Sequence, residues 1–304
     1  MSEQENDFGL YGQCNRKFLP GIYKPKPNEV FLKISAPSKV PLPAKYNICE
    51  VIGLQYIMVY DQGRIGSCTA NAIASAYNIM NIIKNRRTIY LSRLFIYYNE
   101  RAVIGKIEED SGAYIRHGFE SMQKEGACLE RHWPYIESKF AKRPDPFCYH
   151  EARNHRTNIY NPPIDPRTMV MSMKLCISMK MPVVIGVLVY ESFVTDEVSK
   201  TGYIPIPNTQ TEKLIGGHAV LCVGYNDETQ HFTFLNSWSN SFGNQGYDYI
   251  PYQFVGNNDL CNDCHSFLNV QLRLADEGSM VGSEYNCLSP KNWKENLKDI
   301  CNVI

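Results

Sequence analysis

The chain has 304 residues, of which 44% are hydrophobic and 20% are charged, a composition typical of a globular protein with a full apolar core. Its 31 basic and 31 acidic residues balance, and the sequence contains no basic cluster, so we expect no nucleic-acid partner. The longest nearly apolar run, Met181 to Tyr190, is about half the length of the ~20 residues that span a bilayer. We therefore expect a soluble monomer without a membrane partner.

The first 45 residues are rich in proline and should form an extended arm, because proline disfavours helix interiors and central strands. The start of this arm is polar and acidic where a signal peptide would be basic and then apolar. We expect no signal peptide and a cytoplasmic location, or association with a virion if the chain is viral. The prolines of the arm are Pro20, Pro25, Pro27, Pro37, Pro41 and Pro43.

Three helical patterns follow the arm. Apolar residues recur at spacings of three and four between Ala72 and Ile83, which predicts a helix over residues 69–85 with Ser67 as its N-cap. Similar patterns predict helices over 93–103 and 113–123, the second ended by Gly126 as a C-cap. The first half of the chain should therefore be mostly helical.

The pattern changes after Pro182 to apolar runs separated by turn-forming residues, which predicts strands. Helices followed by strands indicate an α+β fold, and the groove between two such lobes is a natural place for a functional site. The predicted strands are Val183 to Tyr190, Ala219 to Gly224, His231 to Leu235 and Tyr247 to Ile250.

The most informative segment runs from Asp61 to Ala70 and delivers Cys68 to the start of the first predicted helix. The N–H groups and dipole at a helix N-terminus favour a thiolate, and a nearby imidazolium would lower the thiol pKa further from its free value of ~8.5. A lone cysteine at such a position is more often a small buried apolar residue. Its surroundings in the rest of the sequence decide between the two interpretations.

Three segments together resemble the signature motifs of papain-like cysteine peptidases. Gln62 to Ala70 resembles the family's Gln-Gly…Cys-Gly-Ser-Cys-Trp-Ala motif. The stretch from Gly216 to Tyr225 resembles its histidine segment, and the stretch from Asn236 to Tyr247 resembles its asparagine segment. His218 and Asn236 follow Cys68 by 150 and 168 residues, in the family's order and close to its spacing. The resemblance covers residues 41 to about 255.

The resemblance implies a two-lobe fold with a helical left lobe, a β-barrel-like right lobe and an active-site cleft between them. The implied peptidase domain covers residues 46–274, with the helical lobe at about 62–180 and the β lobe at about 181–274. Residues 275–304 would then be a C-terminal tail of unknown role. The arm of residues 1–45 is either a plain surface tail or a short, non-standard propeptide that inhibits the enzyme by lying through the cleft.

The catalytic roles are implied by the same resemblance. Cys68 would be the nucleophile and His218 its base, while Asn236 would orient the imidazole ring. Gln62 precedes Cys68 by six residues, the family's spacing, and would donate a hydrogen bond to the oxyanion. The expected function is endopeptidase cleavage of polypeptide substrates through an acyl-thioester, with no cofactor and no metal.

Five further residues are implied to contact substrate or to protect the site. Ser111 and Gly112 occupy the position of a family Gly-Gly pair that contacts substrate backbone. Gly186 and Gly217 would border the pocket for the second residue on the acyl side of the cut, and we expect this pocket to accept bulky apolar side chains. Trp238 would shield the Asn236–His218 hydrogen bond from water.

The sequence departs from the family pattern at three flanking positions. Ile65 replaces the cysteine three residues before the nucleophile, so the disulfide common in secreted members cannot form there. Thr69 and Phe242 replace two tryptophans of the motifs. We expect a divergent, non-secreted branch, viral or microbial. The alternatives are an inactive homologue that only binds peptides, and a Cys-His-Asp transferase, which would carry Asp in place of Asn236.

Cys261-Asn262-Asp263-Cys264-His265 contains a Cys-x-x-Cys pair next to a histidine, as many zinc sites do. A structural zinc site usually needs a second ligand pair, and none is evident, so a disulfide or two free thiols are the favoured interpretations. The eleven cysteines are an odd number, which leaves at least one thiol free, and the chain has no Asn-x-Ser/Thr glycosylation motif. Both observations favour a reducing compartment.

Overall fold

A computed structural model describes residues 42–157 and 168–267. Almost all of the predicted arm and the whole predicted tail of residues 275–304 therefore lie outside the described residues. Lys45, the last residue assigned to the arm, already belongs to the first strand, which extends from Lys45 to Asn47. The folded domain thus begins slightly earlier than the proline pattern indicates.

The helices lie mostly in the first half of the chain, as predicted. The observed helices α2 (Cys68–Asn85), α3 (Arg93–Ala102) and α4 (Ile115–Lys124) agree with the three predicted helices to within two residues at each end. Four further helices of four to seven residues were not predicted, because so few residues cannot show a 3.6-residue period clearly, and the ten-residue helix Met169–Ser178 was missed as well. The helices are α1 (Ile48–Ile52), α2 (Cys68–Asn85), α3 (Arg93–Ala102), α4 (Ile115–Lys124), α5 (Pro146–Ala152), α6 (Met169–Ser178), α7 (Asp196–Thr201) and α8 (Tyr252–Val255).

Helix α2 is the central helix of the domain. Its residues from Cys68 to Ile82 are all buried, and it packs against the sheet on one side and against α3 and α4 on the other. Ser67 occupies the N-cap position, but its hydroxyl accepts no bond from a backbone N–H of the helix. Ser67 Oγ instead accepts a hydrogen bond of 3.0 Å from Asn71 Nδ2, so the predicted capping role of this side chain is wrong.

The strands form one antiparallel sheet whose neighbours are, in order, β5 (Tyr247–Pro251), β4 (His231–Leu235), β3 (Leu214–Asn226), β2 (Val183–Tyr190) and β6 (Cys261–Ser266). Strand β1 (Lys45–Asn47) pairs with β3 off this path. In the described part of the chain, β5 and β6 lie at opposite ends of the path and do not pair, so the expected barrel-like lobe is an open sheet. The bounds of β2 and β4 are those predicted.

Strand β6 was missed because its sequence, CNDCHS, contains neither β-branched nor aromatic residues. All six of its residues are nevertheless buried, because β6 pairs with β2 and packs against α4. Cys261 and Cys264 are both free thiols, and their sulfur atoms lie 3.8 and 3.5 Å from the sulfur of Met169. Of the two interpretations favoured from the sequence, the structure has two free thiols and not a disulfide.

Asp263 of β6 links the sheet to the helical half of the domain. Its backbone is left-handed, with φ of 57°, a conformation that Asp and Asn tolerate better than most residues. Its carboxylate accepts a bond of 3.1 Å from the backbone N–H of Ile115, the first residue of α4, and one of 2.9 Å from His265 Nε2. The His265 ring stacks on Phe119 of α4, with the ring centroids 5.2 Å apart. Asp263 therefore caps α4 from across the domain.

We predict that Asp263→Asn lowers the free energy of unfolding by about 1–3 kcal/mol, because its new amide group leaves either Ile115 N–H or His265 Nε2–H without an acceptor in a buried setting. Asparagine keeps the size of the side chain and tolerates the left-handed backbone. Urea unfolding measures the change, and Asp259→Asn at an exposed position is the matched control. Equal stabilities of the two variants would contradict the role of Asp263.

Candidate active site

Cys68 is the first residue of α2, at the end of a loop that two glycines shape. Gly63 has φ of 62°, a left-handed backbone that favours glycine. A Cβ on Gly66 would lie only 3.3 Å from the Cα and the nitrogen of Gly112, so the loop before the cysteine packs closely on the segment with Ser111 and Gly112. The Gly66 N–H donates a bond of 2.9 Å to Asp110 Oδ1, which holds the two segments together.

The thiol of Cys68 is fully buried, and burial raises its pKa to about 12. The strongest opposing contribution is a hydrogen bond from the backbone N–H of Ala219, the residue after His218, while the Glu100 carboxyl raises the pKa further. Weaker contributions from the N–H groups at the start of α2 also favour the thiolate. A thiol in this setting becomes a thiolate at neutral pH only if an adjacent base takes its proton.

His218 lies on β3 directly before Ala219, and its ring is held by Asn236. The Nε2 atom of His218 lies 2.9 Å from Asn236 Oδ1, and because this oxygen can only accept, Nε2 is the donor. In the neutral ring, Nδ1 is then the nitrogen without a proton and can act as a base. Asn236 Oδ1 also accepts a bond of 2.7 Å from the backbone N–H of Ser237.

Trp238 covers this histidine, as the family resemblance implies. Its indole is 1% exposed and stacks on the His218 ring, with centroids 4.5 Å apart and an angle of 24° between the planes. Phe242 packs edge-on against Trp238 at 4.6 Å, and Phe193 lies on it at 5.9 Å. The aromatic cluster covers one face of His218, and the shielding of its bond to Asn236 from water stays a prediction.

The side chain of Gln62 is oriented by bonds at both ends. Its Oε1 accepts a bond of 2.8 Å from Ser237 Oγ, and its Nε2 donates a bond of 3.2 Å to the backbone oxygen of Ile65. The backbone N–H of Gln62 also donates to Ser237 O at 2.9 Å, and Tyr135 Oη donates to Gln62 O at 2.7 Å. Because an amide nitrogen carries two hydrogens, one N–H of Gln62 remains available for a further acceptor.

The residues expected to contact substrate lie around this group. Gly112 has φ of 69°, its N–H donates to Tyr97 Oη at 3.2 Å, and its carbonyl oxygen accepts from Ser111 Oγ at 3.0 Å. Gly186 of β2 pairs with Ala219 of β3, and Leu188 of β2 pairs with Gly217 of β3. Directly paired residues share a sheet face, so both glycines lie on the face that carries Ala219. Their contact with substrate stays a prediction.

No three histidine, cysteine or acidic side chains cluster in a metal-binding arrangement within residues 42–157 and 168–267. His265, next to Cys264, already donates its Nε2–H to Asp263. Across the same residues no helix is long and apolar enough to cross a membrane. The expectations that the protein uses neither a metal nor a membrane remain predictions.

Comparison with known proteins decides the family. A family profile described as papain family cysteine protease matches residues 43–266, which is most of the chain. The chain belongs to the papain family of cysteine proteases. It is therefore a cysteine peptidase and a hydrolase, as its sequence motifs predict.

The similar proteins agree with this assignment. An uncharacterized peptidase C1-like protein of Acanthamoeba polyphaga mimivirus, L477, is 42% identical over 227 residues, which cover 72% of each chain. The crystal structure of xylellain, a cysteine protease from Xylella fastidiosa, is 36% identical, with a TM-score of 0.73 over 85% of this chain and 98% of that one. A procathepsin B from Trypanosoma congolense is 16% identical, with a TM-score of 0.65 over 82% and 86%, and shows the fold alone.

Two buried acids next to the catalytic motifs of this papain-family chain were missed from the sequence. Glu100 of α3 accepts a bond of 2.5 Å from the hydroxyl of Thr69, the residue that replaces the family's tryptophan after the nucleophile. Asp248 of β5 accepts a bond of 2.5 Å from Asn236 Nδ2. Both are completely buried. The burial of Asp248 could have been predicted from the strand pattern. Side chains alternate between the two faces of a strand, so Asp248 lies on the opposite face from Tyr247 and Tyr249, together with Ile250.

Glu100 has room because of a glycine. A Cβ on Gly118 of α4 would lie 2.8 Å from Glu100 Oε2 and 2.3 Å from Ile73 Cδ1, so a larger residue there would force the end of one or both side chains to shift. Burial raises the pKa of Glu100 to about 8, against smaller opposing contributions from the Thr69 hydroxyl bond and from Arg101. The departure from the family pattern at Thr69 is therefore matched by an acid that its hydroxyl can reach.

We predict that Glu100→Gln becomes more stable relative to wild type as the pH rises from 5 to about 8.5. The folded protein keeps a proton on Glu100 up to about pH 8, whereas the unfolded chain loses it near pH ~4.3, so stability falls over this interval in wild type. Glutamine does not titrate, so it removes this pH-dependent loss of stability, and its side-chain oxygen can still accept the bond from Thr69. Asp248 is present in both proteins and cancels from the comparison.

The measurement is the difference in thermal unfolding midpoint between variant and wild type at each pH. Glu108→Gln, at an exposed position of the loop after α3, controls for the loss of one carboxylate. A difference that does not change with pH for Glu100→Gln would contradict the assignment of a buried, protonated carboxyl.

Proposed function

We propose that this papain-family peptidase is an endopeptidase in which Cys68 is the nucleophile, His218 its base, Asn236 the residue that orients the base, and Gln62 an oxyanion donor. The observation that carries the proposal is the geometry around β3. Helix α2, which begins at Cys68, packs on β3, and His218 of β3 has its Nε2 bound to Asn236 Oδ1 at 2.9 Å. This packing and this bond support the assignment of the three roles.

The first half of the proposed reaction forms an acyl-enzyme. The Cys68 thiol gives its proton to His218 Nδ1, and the thiolate attacks the carbonyl carbon of the scissile bond. The resulting oxyanion accepts bonds from the Cys68 backbone N–H and the remaining Nε2–H of Gln62. When the C–N bond breaks, the imidazolium of His218 gives its proton to the leaving amine, and Cys68 is left as a thioester.

The second half releases the acid product. His218, again neutral, takes a proton from water, and the hydroxide oxygen attacks the thioester carbonyl. Collapse of the second tetrahedral intermediate breaks the C–S bond, and the proton on His218 balances the charge of the Cys68 thiolate. Asn236 keeps Nε2 protonated throughout, so the same nitrogen, Nδ1, serves as base and acid in both halves.

The substrate is a polypeptide that binds in an extended form across the site. In this proposal the backbone of Gly112 and its neighbour Ser111 pairs with substrate backbone, and Gly186 and Gly217 border the pocket for the second residue on the acyl side. Xylellain and the mimivirus protein are described as a cysteine protease and a peptidase C1-like protein, and we carry only this class of activity to the present chain.

The arm of residues 1–45 remains a candidate inhibitor of its own active site. Two structures of similar fold, a procathepsin B and a procathepsin L 3, are named as proenzymes, although at 16% and 20% identity they support only the fold. The proposed location in the cytoplasm or in a virion rests on the mimivirus relative.

We predict that an epoxide inhibitor of papain-like enzymes adds once to the wild-type protein and does not add to Cys68→Ala, because in the proposed mechanism Cys68 is the thiol that gives its proton to His218. Intact mass measures the adduct, and cleavage of a quenched fluorogenic peptide at an internal bond measures endopeptidase activity. Cys176→Ala, which removes another buried thiol in α6, should retain both adduct and activity. Labelling without any peptide cleavage would contradict the peptidase proposal.

We predict that Gln62→Ala lowers kcat by about 100-fold, because one oxyanion donor typically contributes about 3 kcal/mol to transition-state stabilisation. The rate at which iodoacetamide alkylates Cys68 should change much less, since alkylation forms no oxyanion. Gln210→Ala, at an exposed position, is the control. A parallel loss of alkylation and turnover would show that Gln62 acts on the thiol rather than on the oxyanion.

A further inference from the structure

The hydrogen bonds that hold His218 continue one residue beyond Asn236. Asp248 lies on β5 opposite Phe234 of β4, with its side chain directed inward. Its Oδ2 accepts a bond of 2.5 Å from Asn236 Nδ2, while Asn236 Oδ1 binds His218 Nε2 at 2.9 Å. The chain of contacts therefore runs from a buried carboxyl through an amide to the imidazole ring.

We propose that Asp248 is a positioning residue that holds the amide of Asn236 with its oxygen towards His218. This inference rests on the function proposed above and adds a fourth residue to the arrangement of Cys68, His218 and Asn236. No motif of the family resemblance included Asp248. Its role follows from what it binds.

The need for such a residue comes from the shape of the asparagine amide. The oxygen and nitrogen of an amide are nearly equal in size, so Asn236 could turn over without any steric penalty. After a 180° rotation of the amide, its NH₂ group would face two donors, His218 Nε2–H and Ser237 N–H. The Ser237 N–H disfavours this rotation because it needs the acceptor Oδ1, whose distance from Ser237 N is 2.7 Å. Asp248 disfavours it because its carboxyl needs the donor Nδ2.

A carboxyl suits this position in either protonation state. A carboxylate offers two acceptor oxygens, and a neutral carboxyl still offers its carbonyl oxygen, so Asn236 Nδ2–H has an acceptor in both cases. Burial raises the pKa of Asp248 to about 8, and the bond from Asn236 is the one contribution that lowers it.

The surroundings of Asp248 indicate that the acid has a function beyond packing. The other inward residue of β5, Ile250, is apolar and completely buried, as is Phe234 on the adjacent strand. A Cβ on Gly243 would come within 2.7 Å of Asp248 Oδ1, so the loop is packed tightly against the carboxyl. Oδ1 itself has no hydrogen-bond partner in the described part of the chain. Burying such a group is costly, and an apolar residue would pack here at lower cost.

The test compares Asp248→Leu, which removes the acceptor at similar size, with Asp248→Asn, which keeps a carbonyl oxygen for Asn236. We expect Asp248→Leu to lower kcat about tenfold while KM stays within twofold, because substrate contacts are unchanged. Asp248→Asn should stay within about threefold of wild type. In an Asn236→Ala background, Asp248→Leu should cause no further loss, because Asp248 acts through Asn236.

Thermal unfolding checks that each variant is folded, and Asp248→Val, a better strand former, replaces Asp248→Leu if the latter does not fold. The inference would be overturned if Asp248→Leu had wild-type activity, or if Asp248→Asn and Asp248→Leu lost equal activity. It would also be overturned if Asp248→Leu lowered kcat in the Asn236→Ala background as much as it does in the wild-type background. Alkylation of Cys68 by iodoacetamide separates the two proposals. A wild-type protein that neither cleaves peptide nor shows enhanced Cys68 alkylation would overturn the proposed function itself, and the inference with it.

Discussion

The packing of α2 against β3 is the contact on which the rest of the structure depends. Helix α2 is buried along most of its length, so its first residue, Cys68, cannot shift without disturbing the core shared by helices and sheet. The strand it packs on carries His218 and Ala219, and the Ala219 backbone lowers the pKa of the Cys68 thiol against the effect of burial. The proposed nucleophile and the proposed base thereby lie on buried elements of the domain, as a preorganised site requires.

Around this contact, hydrogen bonds from backbone groups and from side chains join the loops to one another. The Gln62 loop binds the Ser237 loop twice, through Gln62 N–H to Ser237 O and through Ser237 Oγ–H to Gln62 Oε1. The same stretch contains Asn236 and Trp238, so the proposed oxyanion donor and the support of the imidazole ring belong to one connected unit.

The buried acids Glu100 and Asp248 both contact residues in or next to the proposed site. Glu100 accepts a bond from the Thr69 hydroxyl, and Asp248 accepts one from the Asn236 amide. Burial raises the pKa of both to about 8, so each acid weakens the fold as the pH rises towards 8. Proteins retain such costly groups where orientation at a site is worth more than stability, which agrees with the positioning role inferred for Asp248.

Much of this arrangement could be predicted from the sequence. The helix beginning at Cys68 and the strands β2 and β4 follow local hydrophobic periods, and the family motifs led to Cys68, His218, Asn236 and Gln62 because each motif is short and continuous. The sheet pairing of β6, its free thiols, the capping of α4 by Asp263, and the roles of Glu100 and Asp248 depend on residues far apart in the chain. The local pattern of hydrophobic residues cannot predict such contacts, because burial and hydrogen-bond partners are determined only when distant segments pack together.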